Sequence, residues 1–184
     1  MTMSKDSLEQ LYPNLRRVVT GHDDAGRSVV LIDGPCTFHG DLAGGGWGVQ
    51  DIWESDAVPA PIAANEPDPT AGPVHFGIPD TGVRVRVTDI PPMADDATPF
   101  MHRTNSIDYL HVLEGEIVML MDEGVPEVLL RKGDTIVQRA TNHAWVNRSG
   151  AHCRVLVVMV AGRITEALEE KIGPMPAWEG GTGR

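Results

Sequence analysis

Three side chains set the chemical question for this chain. His102, Asp108 and His143 are two imidazoles and one carboxylate, a donor set that leaves coordination positions open on a divalent metal. Asp108 begins an alternating run with Leu110 and Val112 and so shares their inward face. A carboxylate on an apolar face is costly unless it is paired, hydrogen-bonded or metal-bound. His143, Trp145 and Asn147 alternate in the same way, and His102 stands ahead of a strand candidate. Imidazole would supply nitrogen donors, the carboxylate would balance charge, and strands would hold all three rigidly. The competing use of the same residues is a pocket in which they hydrogen-bond each other or an organic ligand. Trp145 either walls that pocket or packs in the core.

The elements that must position these groups are short. Glycine (20) and proline (14) are scattered through the 184 residues and cut the chain into small pieces. Strands are expected at 15–20, 28–33, 48–53, 83–90, 107–113, 116–121, 127–131, 135–138, 144–147 and 153–160, where Val and Ile dominate. Turn residues punctuate them, as at Glu114-Gly115 and Lys132-Gly133-Asp134. Helices are expected only at 4–11, with Leu8 and Leu11 inward behind a Ser4 cap, and at 164–172. The second places Ile164, Ala167, Leu168 and Ile172 on one face and stops at Gly173-Pro174. No helix follows each strand, so a parallel α/β sheet is disfavoured and an all-β antiparallel sandwich or barrel is expected. Residues 56–82 hold six prolines and no alternation, which reads as a long surface loop, with His75-Phe76 as its anchor.

Composition narrows the function. With 26 acidic and 15 basic residues the formal charge is −11, which repels phosphate backbones and anionic membranes. The longest apolar run, 155–161, is seven residues against the roughly twenty a bilayer needs. No nucleic-acid or membrane partner is expected. Lys5, Asp6 and Glu9 give the first residues no signal-peptide pattern, and Cys36 and Cys153 make no CxxC or disulfide framework. A cytoplasmic location is the expectation. Residues 43–48 are glycine-rich but lack Lys-Ser/Thr and a following helix, so they form a turn and not a phosphate loop. No GxSxG supports a hydrolase elbow.

Residues 99–115 (PFMHRTNSIDYLHVLEG) resemble the first motif of the cupin superfamily, in which a His pair leads through an acid to Gly. Asp108 and Gly115 keep that motif's spacing of six intervening residues. Residues 133–147 (GDTIVQRATNHAWVN) resemble the second motif, with its His-x3-Asn ending. The resemblance implies a jelly-roll barrel (a double-stranded β-helix) with an N-terminal extension and a short C-terminal helix. One structural domain is expected: strands and proline-rich loop over 1–98, barrel core over 99–162, helix and tail over 163–184. The metal-binding members use two His and a Glu from the first motif and a His from the second. Here those positions hold His102, Thr104, Asp108 and His143, so two match, Asp108 is one methylene short, and Thr104 is a poor ligand.

The resemblance further implies His102, Asp108 and His143 as metal ligands for one Fe, Mn, Ni or Zn ion, with Asp108 and His143 catalytic. Thr104, Gln138, Trp145 and Asn147 are the expected ligand contacts. It implies a homodimer and a small-molecule substrate. Tetracenomycin-type polyketide cyclases, among the proteins the chain resembles, suggest an aromatic or polyketide-like compound undergoing oxygenation, isomerisation or cyclisation. A non-catalytic, metal-free binding barrel is the alternative. His111 is expected to face outward, opposite Asp108, and Arg103 and Arg139 to be surface charges.

Overall fold

The computed structural model describes residues 5–40, 45–72, 80–94 and 96–174. In chain order these form α1 (Lys5–Leu11), β1 (Arg16–His22), β2 (Ser28–Pro35), β3 (Thr37–His39), β4 (Gly48–Ser55) and β5 (Val83–Ile90). Then follow β6 (Ser106–Glu114), β7 (Glu116–Leu120), β8 (Val128–Arg131), β9 (Thr135–Arg139), β10 (Ala144–Val146), β11 (Cys153–Ala161) and α2 (Glu166–Ile172). The all-β expectation holds. The strands pair antiparallel into a six-stranded sheet of order β3-β4-β5-β11-β6-β9, a three-stranded sheet of order β10-β7-β8, and the β1-β2 ribbon. Strands β3, β4 and β5, from ahead of residue 99, are hydrogen-bonded into the main sheet.

β6 shows why the barrel closes where it does. Ser106, Asp108, Leu110 and Val112 are buried, while Ile107, Tyr109 and Glu114 are exposed. This period of two turns Leu110 and Val112 toward Ile117, Met119 and Leu130 of the smaller sheet, with Ile90, Trp145, Cys153 and Val155 completing the core. His111 lies on the other face, its Nδ1 2.8 Å from Thr135 Oγ1. Both cysteines are free and buried. Burial pushes the Cys153 thiol up to about 12, which makes it a packing residue and not a nucleophile.

Several local expectations change. Leu8 of α1 is buried together with Tyr12, the residue just past the helix, an i, i+4 spacing, and Leu11 is exposed. Tyr12 Oη donates to the Gly46 carbonyl at 3.1 Å, which pulls its ring inward past Leu11. β3 was invisible in the sequence because three residues are too few to show alternation. α2 begins at Glu166, so Ile164 precedes it, and none of its residues is buried. Arg103 is not a free surface charge: its guanidinium donates to the carbonyls of Ile172 (2.9 Å), Gly173 (2.8 Å) and Pro174. A cation there satisfies carbonyls that the end of a helix leaves without intrahelical donors. The Ser4 cap and the His75-Phe76 anchor lie outside the described residues.

The proline-rich segment is strapped to the ribbon by Arg17, which is buried. Arg17 donates to the Ile52 carbonyl (2.9 Å), to Thr70 Oγ1 (2.9 Å) and to both oxygens of Asp68. Partial burial pushes the Asp68 carboxyl up, but hydrogen bonds from Arg17 and from Thr70 outweigh it and hold the group below its ordinary range. A depressed folded-state pKa contributes stability above the unfolded value of about 4, and that stability is lost as pH falls through the folded value. Asp68→Asn is therefore expected to lower stability at neutral pH and to flatten the acid limb. Parallel acid titrations of wild type and variant, followed by circular dichroism, check this. Identical acid midpoints and slopes would remove the strap from the stability balance.

Candidate functional site

The two histidines are brought together by the backbone. His102 N–H donates to the His143 carbonyl (2.8 Å) and His143 N–H to the His102 carbonyl (2.9 Å). This isolated bridge joins the segment before β6 to the segment before β10 and sets the two rings 4.2 Å apart, centre to centre. Phe100 stacks on His102 at 5.1 Å, and Trp145 meets His143 edge-on at 5.5 Å. His102 Nδ1 lies 3.2 Å from the Phe100 carbonyl, and His143 Nδ1 lies 2.9 Å from the Thr141 carbonyl. A neutral ring that donates from Nδ1 carries its lone pair on Nε2, the arrangement that orients imidazole toward a metal or a proton.

Burial holds both rings neutral. It pushes His102 down, against a smaller upward pull from the Phe100 carbonyl and Asp108. Burial and the neighbouring His102 push His143 down to about 4. Asp108 moves the other way: burial raises its pKa, and hydrogen bonds from Ser106 and Thr104 only partly offset that. Its Oδ2 accepts from Thr104 Oγ1 at 3.3 Å, and Thr104 Oγ1 lies 2.6 Å from Ser106 Oγ. Asp108 Oδ1 is buried with no hydrogen-bond partner. An orphaned carboxylate oxygen is expensive in apolar surroundings and marks a position where a ligand or ion belongs.

These groups line a cavity of about 340 Å³. Cross-strand pairing sets Gln138 of β9 opposite Asp108 of β6, and Gln138 Nε2 approaches Met119 Sδ at 3.7 Å. His102, Thr104, Asp108, Gln138, His143 and Trp145 all line the cavity. Asn147 does not. It is fully buried, with Nδ2 donating to the carbonyls of Ile90 (2.8 Å) and Ala151 (2.9 Å), and Oδ1 accepting from Ser149 N–H (2.9 Å) and Oγ (2.7 Å). Its hydrogen-bonding capacity is used in fixing the 147–151 turn, so the expected ligand contact is corrected to a turn residue.

The rest of the wall was not legible in advance. Trp47, Val49, Phe100, Leu110, Val157 and Met159 supply the apolar lining, and β5 supplies Arg86 and Thr88. No described residue of 56–72 reaches the cavity. Arg86 was missed because Arg84, Arg86 and Thr88 alternate with valines, which reads as charges outward. The structure reverses this: Arg84, Arg86 and Thr88 are 1%, 6% and 7% exposed. Acids on neighbouring β4 make it tolerable, Glu54 beside Arg84 and Asp51 beside Arg86. The usable signal was Asp51 on the strand candidate 48–53 and Glu54 just past its end, with no other cations nearby.

The donor types fit a divalent metal: two neutral imidazoles tied through Nδ1, and a carboxylate with one oxygen unsatisfied. Among the described residues, however, no group of three His, Cys, Asp or Glu side chains is gathered as a metal cage.

Antiparallel sheets around a largely apolar cavity, with Asp108 from β6, Gln138 from the edge strand β9, and His102 and His143 from the segments before β6 and β10 in its wall, define a β-barrel with an internal polar cluster. The Cupin domain family model matches residues 86–159, from Arg86 on β5 to Met159 on β11. The phomopsin biosynthesis cluster protein C' of Diaporthe leptostromiformis is 33% identical over 153 residues, covering 80% of this chain and 77% of that protein. The cupin-domain-containing oxidoreductase virC of Hypocrea virens is 32% identical over 149 residues, covering 75% and 71%. Among solved structures, a putative ethanolamine utilization protein of Salmonella typhimurium is 12% identical at a TM-score of 0.45, covering 83% of this chain and all of that one. The chain belongs to the cupin family. Among the described residues no helix is long and apolar enough to cross a membrane.

Proposed function

We propose that this chain takes a small, largely apolar organic molecule into the barrel and acts on that molecule's polar group with His102, Asp108 and His143. The observation that carries this reading is Asp108 Oδ1, buried without a partner in a cavity where two neutral imidazoles also meet. Similarity to proteins named cupin-domain-containing oxidoreductases and biosynthesis cluster proteins supports an enzyme acting on a small molecule.

His102, His143 and Asp108 are the residues that would hold a divalent ion. Such an ion, when bound, supplies Lewis-acid polarisation of an oxygen on the substrate. The Nδ1 hydrogen bonds keep each imidazole oriented and present Nε2 to the cavity chemistry. Without an ion on it, Asp108 Oδ1, with its raised pKa, is instead suited to take a proton from the substrate or return one. Thr104 and Ser106 keep Oδ2 in place, so only Oδ1 is offered. The rings of Phe100 and Trp145 flank the histidine pair and would orient a flat substrate.

The test is metal content. Chain purified without chelator and incubated with Fe(II), Mn(II), Ni(II) or Zn(II) is expected to retain about one equivalent by mass spectrometry. His143→Ala and Asp108→Asn are each expected to weaken that affinity about a hundredfold or more. Thr104→Ala is expected to leave it within a few-fold. If no ion is retained, or if His143→Ala retains it like wild type, the second reading takes over: a binding barrel without metal. That reading has its own support in Thr104 standing at a ligand His position and in the lack, among the described residues, of a gathered three-donor group.

A further inference from the structure

Two hydrogen-bond acceptors stand unused on neighbouring strands of the cavity wall. Gln138 of β9 is 5% exposed, Asp108 of β6 is 7% exposed, and both line the cavity. They are direct cross-strand partners on the same face, which sets their Cβ atoms roughly 5 Å apart. A Gln amide at that distance could donate to Asp108 Oδ1. It is turned instead to Met119 Sδ at 3.7 Å, a weak acceptor, and Asp108 Oδ1 is left without a donor. Among the described residues nothing donates to the Gln138 carbonyl oxygen either. The Thr104 hydroxyl is already engaged, 2.6 Å from Ser106 Oγ and 3.3 Å from Asp108 Oδ2. His143 adds a further acceptor, since its Nδ1 faces the Thr141 carbonyl at 2.9 Å and its Nε2 then carries the lone pair. Buried acceptors left without donors are costly, and a ligand that brings protons to them removes that cost.

We propose that Asp108 and Gln138 together bind two adjacent hydroxyls of one molecule, so that the substrate class is a 1,2-diol on an apolar body. The inference rests on the cavity being the small-molecule site, as argued above, and it names the polar group of that molecule in the ion-free chain. One hydroxyl donates to Asp108 Oδ1 and its neighbour to Gln138 Oε1. Hydrogen bonds of about 2.8 Å from two heads on a cross-strand pair converge on one small group of this kind. A ketone, ester or ether brings no proton to either acceptor. An ammonium group would bring protons, but its charge would be buried beside Leu110, Trp145 and Met159, which line the same cavity. Neutral hydroxyls are less costly to bury there.

The test compares a diol with the two alcohols that each lack one of its hydroxyls. Chain freed of ions with EDTA is titrated with 1-phenyl-1,2-ethanediol, 1-phenylethanol, 2-phenylethanol and 2-phenylethylamine. Tryptophan fluorescence is the readout, because Trp47 and Trp145 line the cavity. Wild type is expected to bind the diol about tenfold or more tightly than either alcohol, the effect of a second hydrogen bond to a buried acceptor. Gln138→Met keeps the length of the side chain and removes its carbonyl oxygen. In that variant the diol's advantage over the tighter alcohol is expected to fall to about twofold or less. The tighter alcohol, held by Asp108, is expected to keep its affinity within about threefold. Should Gln138→Met fail to fold by circular dichroism, Gln138→Asn carries the test: its amide is one methylene shorter, and the advantage must fall in the same way. Equal binding of diol and alcohols by wild type would overturn the proposal and leave the cavity as the small-molecule site. So would an undiminished advantage in the Gln138 variants, or tighter binding of the amine than of the diol. Failure of every probe to bind up to its solubility limit would overturn the proposal together with the reading it rests on.

Discussion

Asp89→Ala is expected to lower the stability of this chain by about 3–5 kcal/mol, the usual cost of leaving one partner of a buried ion pair uncompensated. Asp89 is fully buried on β5 and accepts from Arg154 Nε at 2.7 Å and Nη2 at 2.8 Å. The two residues are direct cross-strand partners between β5 and β11, the strands at the centre of the main sheet. Arg154 Nη2 also donates to the Pro13 carbonyl at 2.9 Å, so the pair anchors the chain just after α1. Its hydrogen bond to Asp89 raises the Arg154 pKa, against a smaller opposing effect of burial. Removing the carboxylate strands a largely buried guanidinium on one carbonyl. Urea unfolding is the measurement: the midpoint falls while the slope stays constant. Arg148→Ala is the control. Arg148 and Glu127 are about half exposed, and the loss of such a pair leaves the midpoint unmoved. An Asp89→Ala midpoint equal to wild type would show that the pair contributes no net stability.

Gly115→Ala is expected to cost about 2–4 kcal/mol, from two sources that a control separates. Gly115 joins β6 to β7 with φ +76°, a left-handed conformation that side chains disfavour. A Cβ there would also stand 2.7 Å from the His152 carbonyl oxygen and 3.1 Å from Cys153 Cα, both backbone atoms. Backbone at the start of the central strand β11 has little room to move, so the contact cannot be relieved cheaply. Gly124 has a similar φ of +83° and nothing within 4 Å of a Cβ. Gly124→Ala therefore reports the conformational share alone, about 1–2 kcal/mol. Urea midpoints of the two variants give the difference. Equal losses would remove the close approach from the argument. The consequence reaches the site, because β6 carries Asp108 and its register against β11 sets where that carboxylate sits.

What was legible follows from period and spacing. Alternation in β6 put Asp108 with Leu110 and Val112 on the buried face and His111 on the other, as observed. The run 83–90 reads as a strand at the bounds the structure gives, because β-branched residues and flanking Gly82 and Pro91 punctuate it. The proximity of His102 and His143 was inferred from motif resemblance. The physical device is the pair of backbone hydrogen bonds between them, which no local pattern encodes. Asn147 illustrates the opposite failure. Alternation grouped it with His143 and Trp145, yet it lies past the end of β10 and the turn at Ser149–Ala151 captured its amide.

By itself, then, the sequence determined an all-β chain of the cupin family, which strands carry the polar residues, and which face of β6 is buried. Those properties depend on side-chain period and on turns, both local along the chain. The tertiary structure alone decided that two buried arginines of β5 face inward, because only pairing with β4 brings Asp51 and Glu54 beside them. It alone decided that Arg103 closes the end of α2, about seventy residues away in sequence. And it alone left Asp108 Oδ1 without a partner, since satisfaction of a buried polar atom depends on everything that packs around it and not on its neighbours in the chain.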